Sequence, residues 1–434
     1  MGKMNFEKYQ RYPRIKMPER SWPEREIIKA PRWVSVDLRD GNQALPVPMN
    51  IEEKLELFKL LVEIGFKEIE VAFPAAAQVE FDFVRKLIEE NHIPEDVTIQ
   101  VLTQAREHLV RRTFEALQGV KRATVHVYNS TSTTQRRVVF GKDKAEITKI
   151  ATDAAALMNE LRKKLTGSHI QFEYTPESFT GTELDYALEI CEAVMAVWQP
   201  TLADKMIINL PSTIEMSTPN IFADRIEWFN RHLKKRDCVI LSVHPHNDRG
   251  TAVAAGELTV MAGAERVEGA LFGNGERTGN MDILIMAMNL FAQDVGRELT
   301  SKELHDCFRE AYLRGIGRYS LKKYSECTKE GVVNETMIEA VVGDGKLEIE
   351  IKSKGNGPID AFVTGLRRYL IITVEVLMYE EHALTSGAAA EAIAYIGLSH
   401  EGKTVFGAGI DSNIGTASVK AVLSAVNRMV GGYK

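Results

Sequence analysis

From residue 33 onward, short runs of β-branched and apolar residues alternate with longer stretches whose apolar positions recur every three to four residues. This is the pattern of repeated βα units and therefore of a parallel sheet. It predicts strands over 33–38, 68–72, 98–102, 123–127, 170–174, 205–210, 238–243 and 266–272, each followed by a stretch able to be helical. Eight such units close a (β/α)8 barrel. The helices carry their own punctuation. Asn50 before Ile51-Glu52-Glu53 predicts an N-cap followed by acidic first-turn residues, which suit the positive end of the helix dipole, and Gly65 predicts the stop.

After Asn289 the alternation ends. Residues 299–312 read as a helix introduced by Thr300 or Ser301, and 314–329 as a basic linker. Beyond Glu330 the pattern changes to strand-like runs at 336–342, 346–352, 371–378, 390–398 and 404–408 around two helical segments, 358–369 and 413–429. Each of these helices is entered through a loop of small residues, so a duplicated strand-strand-helix unit is predicted. The expected organisation is an α/β chain. An N-terminal extension (1–30) precedes a (β/α)8 TIM barrel (31–293), a helical linker (294–330) and a smaller α+β domain (331–434).

Composition narrows the partners. The 434 residues are 44 % hydrophobic and 26 % charged, enough apolar material for a sizeable core. A net charge of −6 gives no general attraction to nucleic acid or anionic lipid, and neither partner is expected. Cys191, Cys238, Cys307 and Cys327 are scattered without C-x-x-C pairing, which fits a reducing cytoplasm. Residues 1–25 contain no apolar run long enough for a signal or membrane helix, and Glu19, Glu24 and Glu26 are wrong for a transit segment.

The sharpest local chemistry is His244-Pro245-His246-Asn247-Asp248 at the end of the seventh strand. In extended chain, residues i and i+2 share a face, so both imidazoles can turn toward one point at the barrel mouth, where barrel active sites lie. An H-x-H pair alone is as often two unrelated histidines as a metal site. A third, oxygen ligand changes that balance, and Asp40 in Asp37-Leu38-Arg39-Asp40-Gly41-Asn42-Gln43 is placed to supply it after the first strand. Two histidines and one carboxylate form a facial set with open positions for a small oxo acid.

The loop after the eighth strand, Gly273-Asn274-Gly275-Glu276-Arg277-Thr278-Gly279-Asn280, is glycine-rich where barrels commonly bind anions, and Asn280 could add a further oxygen. The fifth strand ends in Glu173-Tyr174-Thr175-Pro176-Glu177-Ser178, and one of its two glutamates is a candidate acid or base. His126 and Thr213 also fall at carboxyl ends of strands. A lone histidine on an apolar strand is more often a hydrogen-bonded core residue.

Taken together, D-L-R-D-G-N-Q at 37–43, H-P-H-N-D at 244–248 and G-N-G-E-R-T-G-N at 273–280 resemble the 2-isopropylmalate synthases, in particular the longer of their two sequence types. Residues 355–361, 386–395 and 409–428 resemble the leucine-sensing regulatory domain of the same family. The resemblance implies Asp40, His244 and His246 as metal ligands, with Asn280 as a further ligand or near neighbour. It implies that Leu102, His126, Thr175, Asn209, Pro211 and Thr213 line the 2-oxo acid pocket together with Arg39, and that Arg39 and Glu177 are the catalytic pair. The implied cofactor is a divalent ion such as Mg2+, Mn2+ or Zn2+. The implied co-substrate is acetyl-CoA, the partner a second copy in a homodimer, and the feedback inhibitor leucine.

One departure stands out. Full-length relatives carry a further subdomain between barrel and regulatory domain, which contributes a histidine and a tyrosine to the neighbouring subunit's site, and no match to it is found after Gln293. Impaired or altered turnover is therefore expected. Competing expectations are a homocitrate or citramalate synthase, a lyase of the same superfamily, and, from a different class, a non-catalytic leucine-binding or assembly protein.

Overall fold

The computed structural model describes residues 11–295, 317–329, 335–345, 347–370, 373–383, 391–400 and 403–431. The chain divides into two compact units, Met1–Ser301 and Lys302–Lys434. No helix among the described residues is long and apolar enough to cross a membrane.

In the first unit, strands β1 (Arg32–Ser35), β2 (Glu68–Ala72), β3 (Thr98–Gln104), β4 (Arg122–Ser130), β5 (His169–Glu177), β6 (Met206–Ser212), β7 (Val239–Pro245) and β8 (Arg266–Gly269) pair in sequence order. All are parallel, and β8 closes on β1. The helices that follow are α1 (Ile51–Ile64), α2 (Gln78–Glu89), α3 (Glu107–Ala116), α4 (Lys144–Arg162), α5 (Leu184–Trp198), α6 (Pro219–His232), α7 (Ala252–Met261) and α8 (Ile283–Ala292). The predicted barrel is thus the observed one. Asn50 caps α1 in a reciprocal capping box with Glu53, and Gly65 ends it at φ 108°, a conformation that favours glycine.

Two strands stop short of their predicted ends. The Val36 carbonyl gathers the N–H groups of Arg39, Asp40 and Gly41, so the chain coils into a π-helical turn over Asp37–Gly41 instead of continuing to 38. β8 ends at Gly269 rather than 272 because Leu271–Gly273 turns, with Phe272 at φ 57°.

Period-two alternation sorts the strand residues into two layers. Ile69, Val71, Ile99, Val101, Val125, Val127, Leu241, Val243 and Val267 are all buried and form the apolar layer. The alternate positions supply Glu68, Glu70, Gln100, His126, Glu173, Ser242, His244, Arg266 and Glu268, also buried, which meet one another inside the barrel. Barrel interiors are ordinarily packed with branched apolar residues. Here the filling is charged.

In the second unit, β9 (Tyr319–Lys329), β10 (Glu335–Asp344) and β11 (Leu347–Gly355) form an antiparallel sheet in the order β11-β10-β9, followed by α9 (Pro358–Leu370). A second sheet of β12 (Glu375–Ala383), β13 (Ala392–His400) and β14 (Lys403–Asp411) is followed by α10 (Ile414–Gly431). Both halves share one core, in which Ile338, Val342, Phe362, Leu366, Ile396 and Val422 are buried. The predicted duplication is present with three strands per half rather than two. The extra strand in the first half is β9, which falls within residues read as a basic linker. Lys322, Lys323, Ser325 and Glu326 on this strand hide the pattern, while Tyr319, Leu321 and Tyr324 pack into the core. The helix expected at 299–312 lies outside the described residues.

Candidate active site

The turn after β1, the ends of β7 and β8, and the loop before α8 build one cluster at the carboxyl end of the barrel. Asp37 anchors the turn, accepting from Ser35 Oγ at 2.7 Å and from the Leu271 backbone N–H at 3.0 Å. Burial raises its carboxyl to about 6 despite these bonds. The anchored turn presents Arg39 and Asp40 inward, both buried. Arg39 donates through Nε to Glu70 and through Nη1 to Asp40.

The Asp40 Oδ2 atom lies 3.8 Å from His244 Nε2 and 3.9 Å from His246 Nε2, and the three ligand atoms all lie within 4.8 Å of one another. The two imidazoles stack with centroids 5.1 Å apart, the i, i+2 arrangement expected of an extended segment. Asn280 ties the cluster together. Its Nδ2 donates to Asp40 Oδ2 and to the Asn274 carbonyl, each at 2.8 Å, and its Oδ1 faces His244 Nε2 at 2.7 Å. The glycine loop makes that approach possible. A Cβ on Gly279, at φ 97°, would stand 1.8 Å from the Gly273 carbonyl oxygen, and one on Gly275 would stand 2.4 Å from Asn280 Nδ2.

The electrostatics suit a divalent cation. Burial disfavours the Asp40 carboxylate, but Arg39, His244 and His246 more than offset it and keep its pKa below the usual range. Burial first, and then His244, push His246 down to about 3, leaving a neutral ring with a lone pair. Burial works against protonation of His244 as well, yet the Glu268 carboxylate on Nδ1 (2.7 Å) raises it overall. A buried carboxylate and two imidazoles converging in this way are the donor set that hard and borderline divalent ions take. A second group, His126, Glu173 and Glu268, also converges among the described residues. There the cation is already a guanidinium, because Arg266 Nη1 lies 2.8 Å from Glu268 and 3.3 Å from Glu173.

Above the cluster opens a cavity of about 390 Å³. Its lining brings together Arg39, Asp40, Leu102, His126, Thr175, Glu177, Asn209, Pro211, Thr213, His244 and His246. Asn280 is wholly buried beneath them and meets the cavity only through its bonds to Asp40 and His244. Of the two β5 glutamates, Glu177 faces the cavity and accepts from Ser130, with burial raising its carboxyl. Glu173 is sealed inside the barrel, where burial raises its carboxyl well above the usual range. His126 bridges Glu70 Oε2 (2.8 Å) and Thr175 Oγ1 (2.7 Å). Thr213 Oγ1 accepts from the Ser178 backbone N–H at 3.0 Å.

Sequence reasoning missed Phe73, Tyr128 and Arg277 on the cavity wall and the interior residues Glu70, Gln100, Arg266 and Glu268. A signal existed for the interior set. Charged residues at alternate positions of Glu68-Ile69-Glu70-Val71 and Arg266-Val267-Glu268 must point inward if the strands belong to a barrel whose outer face is covered.

Residues 30–309 match the HMGL-like family model, and residues 298–430 match the LeuA allosteric (dimerisation) domain. The chain is 43 % identical to the 2-isopropylmalate synthase of Clostridium acetobutylicum, covering 98 % of this chain and 99 % of the relative. It is 41 % identical to that of Ralstonia nicotianae, covering 97 % and 94 %. The Clostridium alignment runs over 554 positions against the chain's 434 residues, so at least 120 positions face a gap in this chain. The two family matches overlap at 298–309 and leave no interval between them. Solved HMG-CoA lyases share the barrel fold. Those of Bacillus subtilis (TM-score 0.52, 18 % identity, 64 % of this chain and 91 % of that one) and Pseudomonas aeruginosa (0.52, 17 %, 65 % and 92 %) are examples.

Proposed function

The chain belongs to the 2-isopropylmalate synthase family, and we propose that its barrel mouth joins acetyl-CoA to 2-oxoisovalerate, with water, giving 2-isopropylmalate and CoA in the first committed step of leucine synthesis. The observation that carries this reading is the near full-length identity to 2-isopropylmalate synthases, combined with Asp40, His244 and His246 meeting at the mouth. A homocitrate synthase would need a cation for a distal carboxylate; Arg277 on the wall is already paired with Asp248, and Leu102 and Pro211 offer the oxo acid's side chain an apolar wall.

Asp40, His244 and His246 would hold a divalent ion, with Asn280 fixing their geometry. When bound, such an ion supplies Lewis-acid polarisation of the keto carbonyl. Arg39 is held by Glu70 and Asp40 on one side and lines the cavity on the other, so its remaining donors face the oxyanion that develops as the keto carbon is attacked. Thr175 and Thr213, each fixed by a neighbour, orient the oxo acid. Glu177, with its raised carboxyl at the cavity wall, takes the methyl proton of the acetyl group. The resulting enolate attacks the keto carbon, and hydrolysis of the thioester releases CoA.

The gap of at least 120 positions is in keeping with loss of the subdomain that, by the family resemblance, supplies a histidine and a tyrosine to the neighbouring subunit's site. The metal cluster lies wholly within the barrel and survives this loss, while turnover falls below the family rate. The regulatory module supports a homodimer and a leucine site. A free-thiol assay across a panel of 2-oxo acids, with and without chelator, tests reaction, substrate and metal together. Thiol release with 2-oxoisovalerate that chelator abolishes is expected. Leucine heat by calorimetry without any thiol release would favour the non-catalytic binder, and a purified chain running at the full family rate would refute the impairment.

A further inference from the structure

Both ring nitrogens of His244 face hydrogen-bond acceptors. Nδ1 lies 2.7 Å from Glu268 Oε2, and Nε2 lies 2.7 Å from Asn280 Oδ1. The Asn280 amide cannot be turned round, because its nitrogen is committed to two acceptors, Asp40 Oδ2 and the Asn274 carbonyl. A neutral imidazole has one proton to give and two acceptors competing for it. Whichever nitrogen loses the competition keeps its lone pair. Only Nε2 points at the position shared with Asp40 and His246.

We propose that Glu268 is a positioning residue that decides this competition, holding the His244 proton on Nδ1 so that Nε2 is left as a ligand; this rests on the metal-site reading above. A carboxylate accepts more strongly than an amide oxygen, and charge-assisted bonds are roughly twice as strong as neutral ones. Glu268 is itself locked as an acceptor on both oxygens. Oε1 receives Arg266 Nη1 at 2.8 Å and Gln100 Nε2 at 3.0 Å, and Oε2 receives Asn209 Nδ2 at 3.0 Å beside His244. Arg266, Gln100 and Asn209 are all donors to it. A glutamine at this position no longer offers His244 a charged acceptor, and its amide nitrogen can turn to Nδ1 of an imidazole that has reversed its tautomer. Glu268→Gln thus moves the His244 proton to Nε2, where Asn280 Oδ1 holds it against the incoming ion. The same interior offers a matched comparison, since His126 Nδ1 lies 2.8 Å from Glu70, and Gln100 bridges the two glutamates.

The test reads tautomers directly. Histidine-selective 15N labelling of the metal-free protein, at a pH where His244 is neutral, gives long-range proton–nitrogen patterns, with the His244 signal assigned by its loss in His244→Ala. The expected wild-type pattern is Nδ1–H, turning to Nε2–H in Glu268→Gln. Zn2+ titration by calorimetry should then show affinity lowered by roughly 10–100-fold in Glu268→Gln, the range usual for partners of metal-bound histidines, and Glu70→Gln should fall well short of that loss. An Nε2–H pattern in the wild-type protein overturns the proposal even if the variant fails to fold. So does a Glu268→Gln protein that binds Zn2+ as tightly as its parent. If the wild-type protein binds no Zn2+, it is the metal-site reading that fails, and the tautomer measurement still decides the role of Glu268.

Discussion

At the scale of single residues, the cavity separates side chains that face it from side chains that hold those in place. Glu177 is the only carboxyl of β5 on the cavity wall, and general acid–base groups typically contribute about 10²–10⁴-fold to rate. Glu177→Gln should lower thiol release by that order relative to the parent chain and leave KM for 2-oxoisovalerate little changed; steady-state kinetics checks this. Arg39→Lys should also cost activity, because one ammonium cannot meet Glu70, Asp40 and the substrate from the places a planar guanidinium fills. The convergence of Asp40, His244 and His246 was legible in the sequence because i, i+2 spacing and barrel adjacency are simple geometry. Glu70 and Glu268 were overlooked, because a charge within a short strand reads as a solvent-facing position unless the predicted closure of the barrel is applied to it.

At the scale of elements, the loops that carry the site are fixed by a few terminal contacts. Glu183, the N-cap residue of α5, receives both guanidinium nitrogens of Arg136 from the turn after β4, each at 2.8 Å. The Arg136 bond pulls the Glu183 carboxyl down to about 2. A depressed folded-state pKa means the contribution is present above the unfolded value, about 4.3, and is lost as pH falls toward 2. Because the Glu183 side chain is 39 % exposed, the pair is worth no more than roughly 1 kcal/mol. Thermal melts of wild type and Glu183→Gln should differ at pH 6 and converge near pH 2. Asn50→Ala removes the α1 capping box and should cost about 0.5–2 kcal/mol by urea denaturation. Gly279→Ala should be harsher, since the new methyl would meet backbone and unseat Asn280; loss of Zn2+ binding by calorimetry is the readout. Element existence in the barrel was legible from periodicity. The ends of β1 and β8 were not, because the Val36 carbonyl and the Leu271–Gly273 turn take over where the apolar run continues. The strand β9 escaped notice for the opposite reason, its lysines masking an alternation that only packing reveals.

At the scale of the whole molecule, the order of units was legible, while the 120 or more positions that face a gap in this chain emerge only against a relative. Inserting the segment that faces the gap, taken from the Clostridium relative, should raise the turnover number while leaving Zn2+ affinity unchanged; parallel kinetics and calorimetry check both halves. The charged interior has one more consequence. Barrels are usually understood as having a floor that confers stability and a rim that performs chemistry. In this one a side chain at the floor, Arg32, grips Glu68, which grips Arg266, which grips Glu268, which ends on His244. The two ends are joined like the ends of an axle, so a substitution made underneath for robustness would be felt by the reaction overhead.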